Sequence, residues 1–171
     1  MVYLSAMPVL SGEELTRHSL SFREIGDGDR PFLYQVYAST RAEELAIVPW
    51  SEEEKKAFLE FQFNAQHRFY QDQFKNAAFW VVEQSGGSIG RLYLDRRADE
   101  IRIIDIALLP DFRDRGIGTA LLNAILAEAR TKRLPVRIHV EYNNRALNLY
   151  HRLGFRQVAA DGVYYLMEWT V

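Results

Sequence analysis

A change of hydrophobic period at Pro110 constrains this chain more than any other feature. Upstream, "AAFWVVEQ" (77–84), "GSIGRLYLDRR" (87–97) and "EIRIIDIALL" (100–109) are short runs rich in β-branched and aromatic residues, separated by the turn-formers "SGG" and "RADE". Such runs predict an antiparallel meander. Downstream, Leu121, Leu122, Ile125, Leu126 and Ala129 recur at helical spacing, predicting an amphipathic helix from about Gly116 to Lys132. The corner between them, "PDFRDRGIG", places two glycines where that helix begins. Glycine weakens a helix interior, so Gly116 and Gly118 call for an explanation.

The flanks complete a mixed α/β pattern. "SLSFREI" (19–25) alternates as a strand does, and Asp29 with Pro31 starts a helix predicted through about Glu44. Ser51 and Glu54 stand at capping-box spacing before a long helix, on which Phe58, Phe61, Ala65 and Phe69 are expected to form one apolar face. "LPVRIHV" reads as a short buried strand and "NRALNLYHRL" as a short helix closed by Gly154. "FRQVAA" and "VYYLMEWT" read as a strand pair around "DG". The expected order is β-α-α-β-β-β-α-β-α-β-β, one domain over 19–171 preceded by a leader over 1–18.

A chain of 171 residues can bury a substantial single core. Its net charge of −2 gives no electrostatic argument for nucleic acid or an anionic membrane as partner. With no cysteine there is no disulfide, thiol nucleophile or Cys-based zinc site, and no metal is expected. The opening residues do not read as a signal peptide and no apolar run reaches membrane-spanning length, so a cytoplasmic protein is expected.

The glycine pair has a physical use at a helix start. The first-turn N–H groups lack internal partners, and the aligned peptide dipoles add partial positive charge. Without Cβ atoms, Gly116 and Gly118 would let a phosphate approach the backbone, and Arg113 and Arg115 add formal charge nearby. A tight strand-to-helix turn would use the same glycines. The loop is no Walker motif, since Lys followed by Ser or Thr is absent. It is no dinucleotide fingerprint either, since Leu121 stands where a third glycine would fall.

Arg113-x-x-Gly116-x-Gly118, set between a strand ending in proline and a long helix, resembles the pyrophosphate-binding signature of the GCN5-related N-acetyltransferases, the GNAT superfamily. "NNRALNLYHRLGF" (143–155) is similar to a second block of that family, and "YYLMEW" to the ending of many small members. The resemblance implies a single-domain α/β fold: a mixed, mostly antiparallel central sheet with a strand splay, flanked by about four helices. It implies acetyl-CoA as co-substrate, its pantetheine arm bound by the backbone of Ile106, Ala107 and Leu108 as though it were a further strand. Arg113 and the N–H groups of Asp114, Arg115, Gly116, Ile117, Gly118 and Thr119 would hold the pyrophosphate. Asn143 would bond the pantetheine arm or order the splayed strand, a role compatible with capping the next helix.

The implied activity is transfer of acetyl to a primary amine, of a small molecule or a peptide, by direct attack in a ternary complex. Tyr150 matches the family tyrosine that protonates the departing thiolate, and the Leu108 N–H would stabilise the oxyanion. A core aromatic is the plain alternative for Tyr150. Some members that acetylate protein N-termini carry a glutamate where this chain has Ile138. Glu141 and Asp105 are then the candidate bases, with His139 on the same alternating face as Glu141, and an ordered water chain would also serve. The acceptor wall would draw on Glu43, Glu44, Trp50, Phe61, Gln62, Gln66 and Tyr70. The aromatics of that helix could equally be core or the face of a homodimer. A non-catalytic acyl-CoA-binding or sensing module, and a plain interaction domain, are the competing functions.

Overall fold

The computed structural model describes residues 9–171, and the first eight residues of the expected leader lie outside the described part. Among the described residues, five α-helices and seven strands follow one another as α1 (Glu13–Arg17), β1 (Leu20–Glu24), α2 (Arg30–Ala46), α3 (Glu52–Gln73), β2 (Ala78–Gln84), β3 (Gly87–Arg96) and β4 (Ile101–Leu108). Then come α4 (Ile117–Lys132), β5 (Val136–Glu141), α5 (Leu147–Arg152), β6 (Arg156–Asp161) and β7 (Tyr164–Trp169). The fifth helix, beyond the four expected, is the short α1. Its Leu15, with Leu10 just before it, is buried in the same core as the strands.

All seven strands form one sheet in the order β1-β2-β3-β4-β5-β7-β6. Every neighbouring pair is antiparallel except β4 with β5. The apolar stripe of α4 packs on one face: Ile117, Ala120, Leu121, Leu122, Ala124, Ile125, Leu126 and Ala129 are all buried. They meet Trp80, Leu92, Leu94, Ile101, Ile103, Val136, Ile138 and Met167 from the strands. At roughly 1.5–3 kcal/mol per large apolar side chain buried, this contact dominates the stability of the fold. Helices α2 and α3 cover the opposite face, where Leu33, Tyr37 and Phe63 form a smaller second core.

Local chemistry sets the boundaries. At the start of α3 the Ser51 hydroxyl accepts from the Glu54 N–H at 3.2 Å while the Glu54 carboxylate accepts from the Ser51 N–H at 2.7 Å, the reciprocal cap its spacing predicts. Gly154 ends α5 at φ 96°, and the Phe155 N–H returns to the Tyr150 carbonyl at 3.0 Å. Two expectations shift. Helix α5 begins at Leu147 rather than 144, because the Asn144 side chain accepts from the Ala146 N–H at 2.9 Å and holds the preceding residues in a turn. The face of α3 turned to the protein carries Leu59, Phe63, Gln66 and Tyr70, whereas Phe58, Phe61 and Phe69 are 37%, 70% and 55% exposed. Two aromatic stripes run along that helix, and periodicity alone does not say which one faces inward.

Candidate active site

The site begins with a gap in the sheet. Strands β4 and β5 are paired only at Ile101↔Val136, Arg102↔Arg137 and Ile103↔Ile138, yet β4 runs on to Leu108 and β5 to Glu141. On the β3 side the ladder stays closed to Gly90↔Leu108, with one extra β4 residue, Ile104, between the pairs Tyr93↔Asp105 and Leu94↔Ile103. A bulge of this kind bends the strand that carries it, and it sits where β4 leaves β5. The Leu109 N–H bonds the Ile89 carbonyl at 2.8 Å, so the alternation of an antiparallel ladder assigns Ala107 and Asp105 to β3 and turns the amides of Ile106 and Leu108 toward the gap. An extended amide-bearing chain fits such an unpaired edge.

Gly90 makes the closed side of this wedge workable. A Cβ there would strike the Ala107 carbonyl oxygen and come within 2.8 Å of Leu108 Cδ2 and 3.1 Å of Leu108 Cα. Only glycine allows β3 to press so closely on the segment 106–108. The sequence reading passed over this residue, although an isolated glycine inside a strand pattern is the known signal for close backbone approach.

At the mouth of the gap, a 3-10 turn (Pro110–Phe112) leads into α4. Gly116 is the N-cap residue at φ 81°, a left-handed conformation that suits glycine. The first helical hydrogen bond is Ala120 N–H to the Gly116 carbonyl at 3.0 Å, which leaves the N–H groups of Ile117, Gly118 and Thr119 without helical acceptors. The two glycines differ in role. A Cβ on Gly116 would lie 3.6 Å from the His18 imidazole, whereas one on Gly118 would lie 3.6 Å from Leu149 on α5. Gly118 therefore eases the packing of α5 on α4, and Gly116 opens the turn. His18, inside the stretch read as a leader, stands beside this turn.

Tyr150 lies on α5, buried and edge-on to Phe155 with ring centroids 5.4 Å apart. Burial pushes its hydroxyl well above the ordinary phenol range, and the negative charge of Asp105 adds to the shift. Asn143 is exposed in the turn between β5 and α5.

A family model for the acetyltransferase (GNAT) domain matches residues 75–157, the span that holds the gap, the glycine turn and Tyr150. That segment belongs to the GNAT family of acetyltransferase domains. The N-alpha-acetyltransferase of Sulfurisphaera tokodaii is 29% identical over 119 residues, covering 60% of this chain and 71% of the relative. An uncharacterized N-acetyltransferase of Methanocaldococcus jannaschii is 35% identical over 88 residues, 46% of this chain; the match spans only 39% of that relative's length. Among solved structures, the PaiA N-acetyltransferase of Thermoplasma acidophilum in complex with coenzyme A superposes with a TM-score of 0.66 at 21% identity, covering 90% of this chain and 99% of that one.

In this GNAT domain most of the charged side chains read as candidates are engaged by other groups of the protein. Arg113 donates from Nε to the Leu108 carbonyl at 2.9 Å and from a terminal nitrogen to Ser39 Oγ at 3.0 Å, tying the end of β4 to α2. Asp114, at φ 59°, is paired with Arg145 at 2.7 Å across the cleft mouth. Arg115 lies 5.8 Å from the Phe112 ring centroid. Glu141 binds Arg41 of α2 through both oxygens, at 2.8 and 3.2 Å, and Arg41 also reaches Glu44. His139 faces Arg102 at 3.0 Å, and burial together with that guanidinium lowers its pKa.

Asp105 is held in a buried polar cluster beneath α3. Arg91, 2% exposed, donates to its two oxygens at 2.8 and 3.4 Å, and the Tyr70 hydroxyl donates to it at 3.2 Å. Arg91 also reaches Gln66 at 3.0 Å. Burial drives the Tyr70 hydroxyl far up, reinforced by Asp105, so it stays a proton donor at neutral pH. Tyr70 and Gln66, read as acceptor-wall residues, thus face the sheet and join this cluster. Phe61 does not, since it points to solvent. Arg91 and Arg41 escaped the sequence reading because their partners stand diagonally across a ladder or 100 residues away, contacts that spacing cannot register.

Proposed function

We propose that the chain is an acetyl-CoA-dependent N-acetyltransferase that transfers the acetyl group to a primary amine within a ternary complex. The observation that carries this reading is the wedge between β4 and β5, with unpaired amides on Ile106 and Leu108 and the glycine-headed α4 at its mouth. The pantetheine arm would continue the β4 edge, and the first-turn amides of α4 would meet the pyrophosphate. Asn143 would bond the pantetheine arm. The exposed Arg115 would add charge at the phosphates, and Arg113 would act there chiefly by fixing the end of β4.

The neutral amine's lone pair attacks the thioester carbon, and the Leu108 N–H receives charge developing on the carbonyl oxygen. The tetrahedral intermediate then collapses: the C–S bond breaks, the sulfur takes a proton from Tyr150, and the proton released from the former amine nitrogen returns through water to the Tyr150 oxygen. Burial that disfavours a phenolate equally disfavours a bare thiolate in the same pocket, so the neutral Tyr150 hydroxyl is suited to donate to sulfur as the bond breaks. The ammonium proton of the acceptor leaves before attack. Glu141 and Asp105 already neutralise guanidinium groups, which favours a water path to solvent over either carboxylate as base.

Measuring free-thiol release from acetyl-CoA across a panel of small amines and peptides tests the reading. Turnover with at least one primary amine is the expected result. Coenzyme A binding by calorimetry without turnover on any amine would point to a sensing module, and no binding at micromolar concentration would sink the coenzyme A site itself.

A further inference from the structure

Among the described residues, helix α3 has a second face that nothing covers. Phe58, Phe61, Ala65 and Phe69 share one side of it, and Trp50 extends the strip by packing edge-on against Phe58, ring centroids 5.3 Å apart. Phe61 is 70% exposed, Phe69 55%, Trp50 42% and Phe58 37%. At roughly 150–250 Å² per aromatic side chain, these four leave about 400 Å² of aromatic surface in water. Contiguous apolar surface of that size on a charged helix marks an interaction site rather than scattered exposure.

We infer that this face binds a second copy of the chain, with the two α3 helices antiparallel about a two-fold axis at Phe61. The charges on the strip select that occupant and that orientation. An axis at Phe61 sets Glu54, seven residues before it, against Arg68 of the partner copy, seven residues after; all of these side chains are exposed on the same stripe. The same axis sets exposed Ala57 against Ala65 of the other copy, which makes room on either side for the Phe61 rings. A parallel pair would instead align Glu54 with Glu54 and Arg68 with Arg68. The aromatic anchors of both copies supply about 800 Å², and the flanking alanines and polar rim bring the total to the ~1,200 Å² at which specific interfaces begin. The other side of α3 carries Gln66 and Tyr70 into the Arg91–Asp105 cluster, so pairing leaves that cluster untouched.

Sedimentation velocity and light scattering at micromolar concentrations should return a dimer for the full chain. Phe61→Glu should weaken the dimer at least ~30-fold, as loss of a central aromatic anchor does, while the far-UV circular dichroism and coenzyme A binding stay as in the parent. A second arm uses the absence of cysteine. Ala57→Cys protein mixed with Ala65→Cys protein should form a disulfide-linked pair on oxidation. Either variant alone should not, because its two copies lie about 12 Å apart along the helix axis. A monomeric parent would overturn the inference, including the case in which the strip serves a different protein. Equal linking by the single variants would overturn the antiparallel axis.

Discussion

Replacing Gly90 with alanine tests whether the closeness of β3 to β4 positions the donor site. The added methyl would collide with the Ala107 carbonyl oxygen and crowd Leu108 Cδ2 at 2.8 Å and Leu108 Cα at 3.1 Å. Two of those three atoms are backbone, so rotamer changes cannot absorb the clash; the strands must part by roughly 1 Å at residues 106–108, with an overpacking cost of about 1–3 kcal/mol. The entropy that alanine removes from the unfolded chain returns only ~0.4–1 kcal/mol. For a chain of this length, a net loss of about 1–2 kcal/mol lowers Tm by about 2–8 °C. The functional effect should be larger, since a displacement of ~1 Å at reacting groups costs on the order of 100-fold in rate. The assay pairs a calorimetric melt with coenzyme A titration and kcat/KM, using Gly87→Ala as control, whose Cβ would meet only the Gln84 carbonyl at 3.6 Å. A Gly90→Ala protein that melts, binds and turns over like the Gly87→Ala control would refute the claim that this contact sets the wedge.

Tyr150→Phe keeps the ring against Phe155 and removes only the hydroxyl, so kcat should fall about 100-fold or more while coenzyme A affinity holds; an equal loss in both would make the residue structural. Gly116→Ala forces a Cβ into φ 81° and should cost ~1–2 kcal/mol in a urea melt, whereas Gly118→Ala gains helix propensity at a tolerable 3.6 Å contact and should be neutral or stabilising. For Glu100, burial alone would raise the carboxyl pKa, but Arg137, Arg102 and Arg97 outweigh it and hold it below the usual value. Its stabilising contribution is therefore complete above about pH 4.5, near the unfolded carboxyl's value, and is lost as pH falls through the lower folded value. Glu100→Gln should cost ~3 kcal/mol at neutral pH, and its urea midpoint should converge with the parent's in acid; parallel curves would contradict this account. With water rather than a carboxylate removing the amine proton, kcat/KM should climb about tenfold per pH unit toward the amine's own pKa. A plateau near neutrality that Glu141→Gln abolishes would restore Glu141 as the base.

What was legible in the sequence follows backbone logic. The meander, α4 and the corner between them declare themselves through period and through Pro110, Gly116 and Gly118, because each of these residues acts on φ, on a hydrogen bond or on steric access at its own position. The splay was expected only through the family resemblance; the register confirms it by ending the β4–β5 pairing at Ile103↔Ile138. Roles that depend on which way a side chain turns were not legible. Phe58, Phe61 and Phe69 have the spacing of a core stripe and lie outside, while Gln66 and Tyr70, polar by composition, face inward onto Arg91 and Asp105. Gly118 is placed as its motif predicts, but its missing Cβ faces Leu149 rather than open space.

The charged residues at the site show how the two halves are joined. Glu141 ends β5, one arm of the wedge, and Arg113, five residues past the end of the other arm, β4, binds the Leu108 carbonyl; each is also bound to α2, through Arg41 and Ser39 respectively. Helix α2 thus spans the mouth and fixes the separation of the arms with two contacts, one of them an ion pair that is about three-quarters shielded from water. Because the unpaired amides of β4 carry no counter-strand, nothing in the sheet itself opposes closure or further opening of that gap. These two links supply the restraint, and they use side chains that would otherwise be the natural candidates for phosphate binding and proton abstraction. On the proposed reading, donor recognition would then fall to backbone amides, to the exposed Arg115 and to neutral groups such as Tyr150 and Asn143.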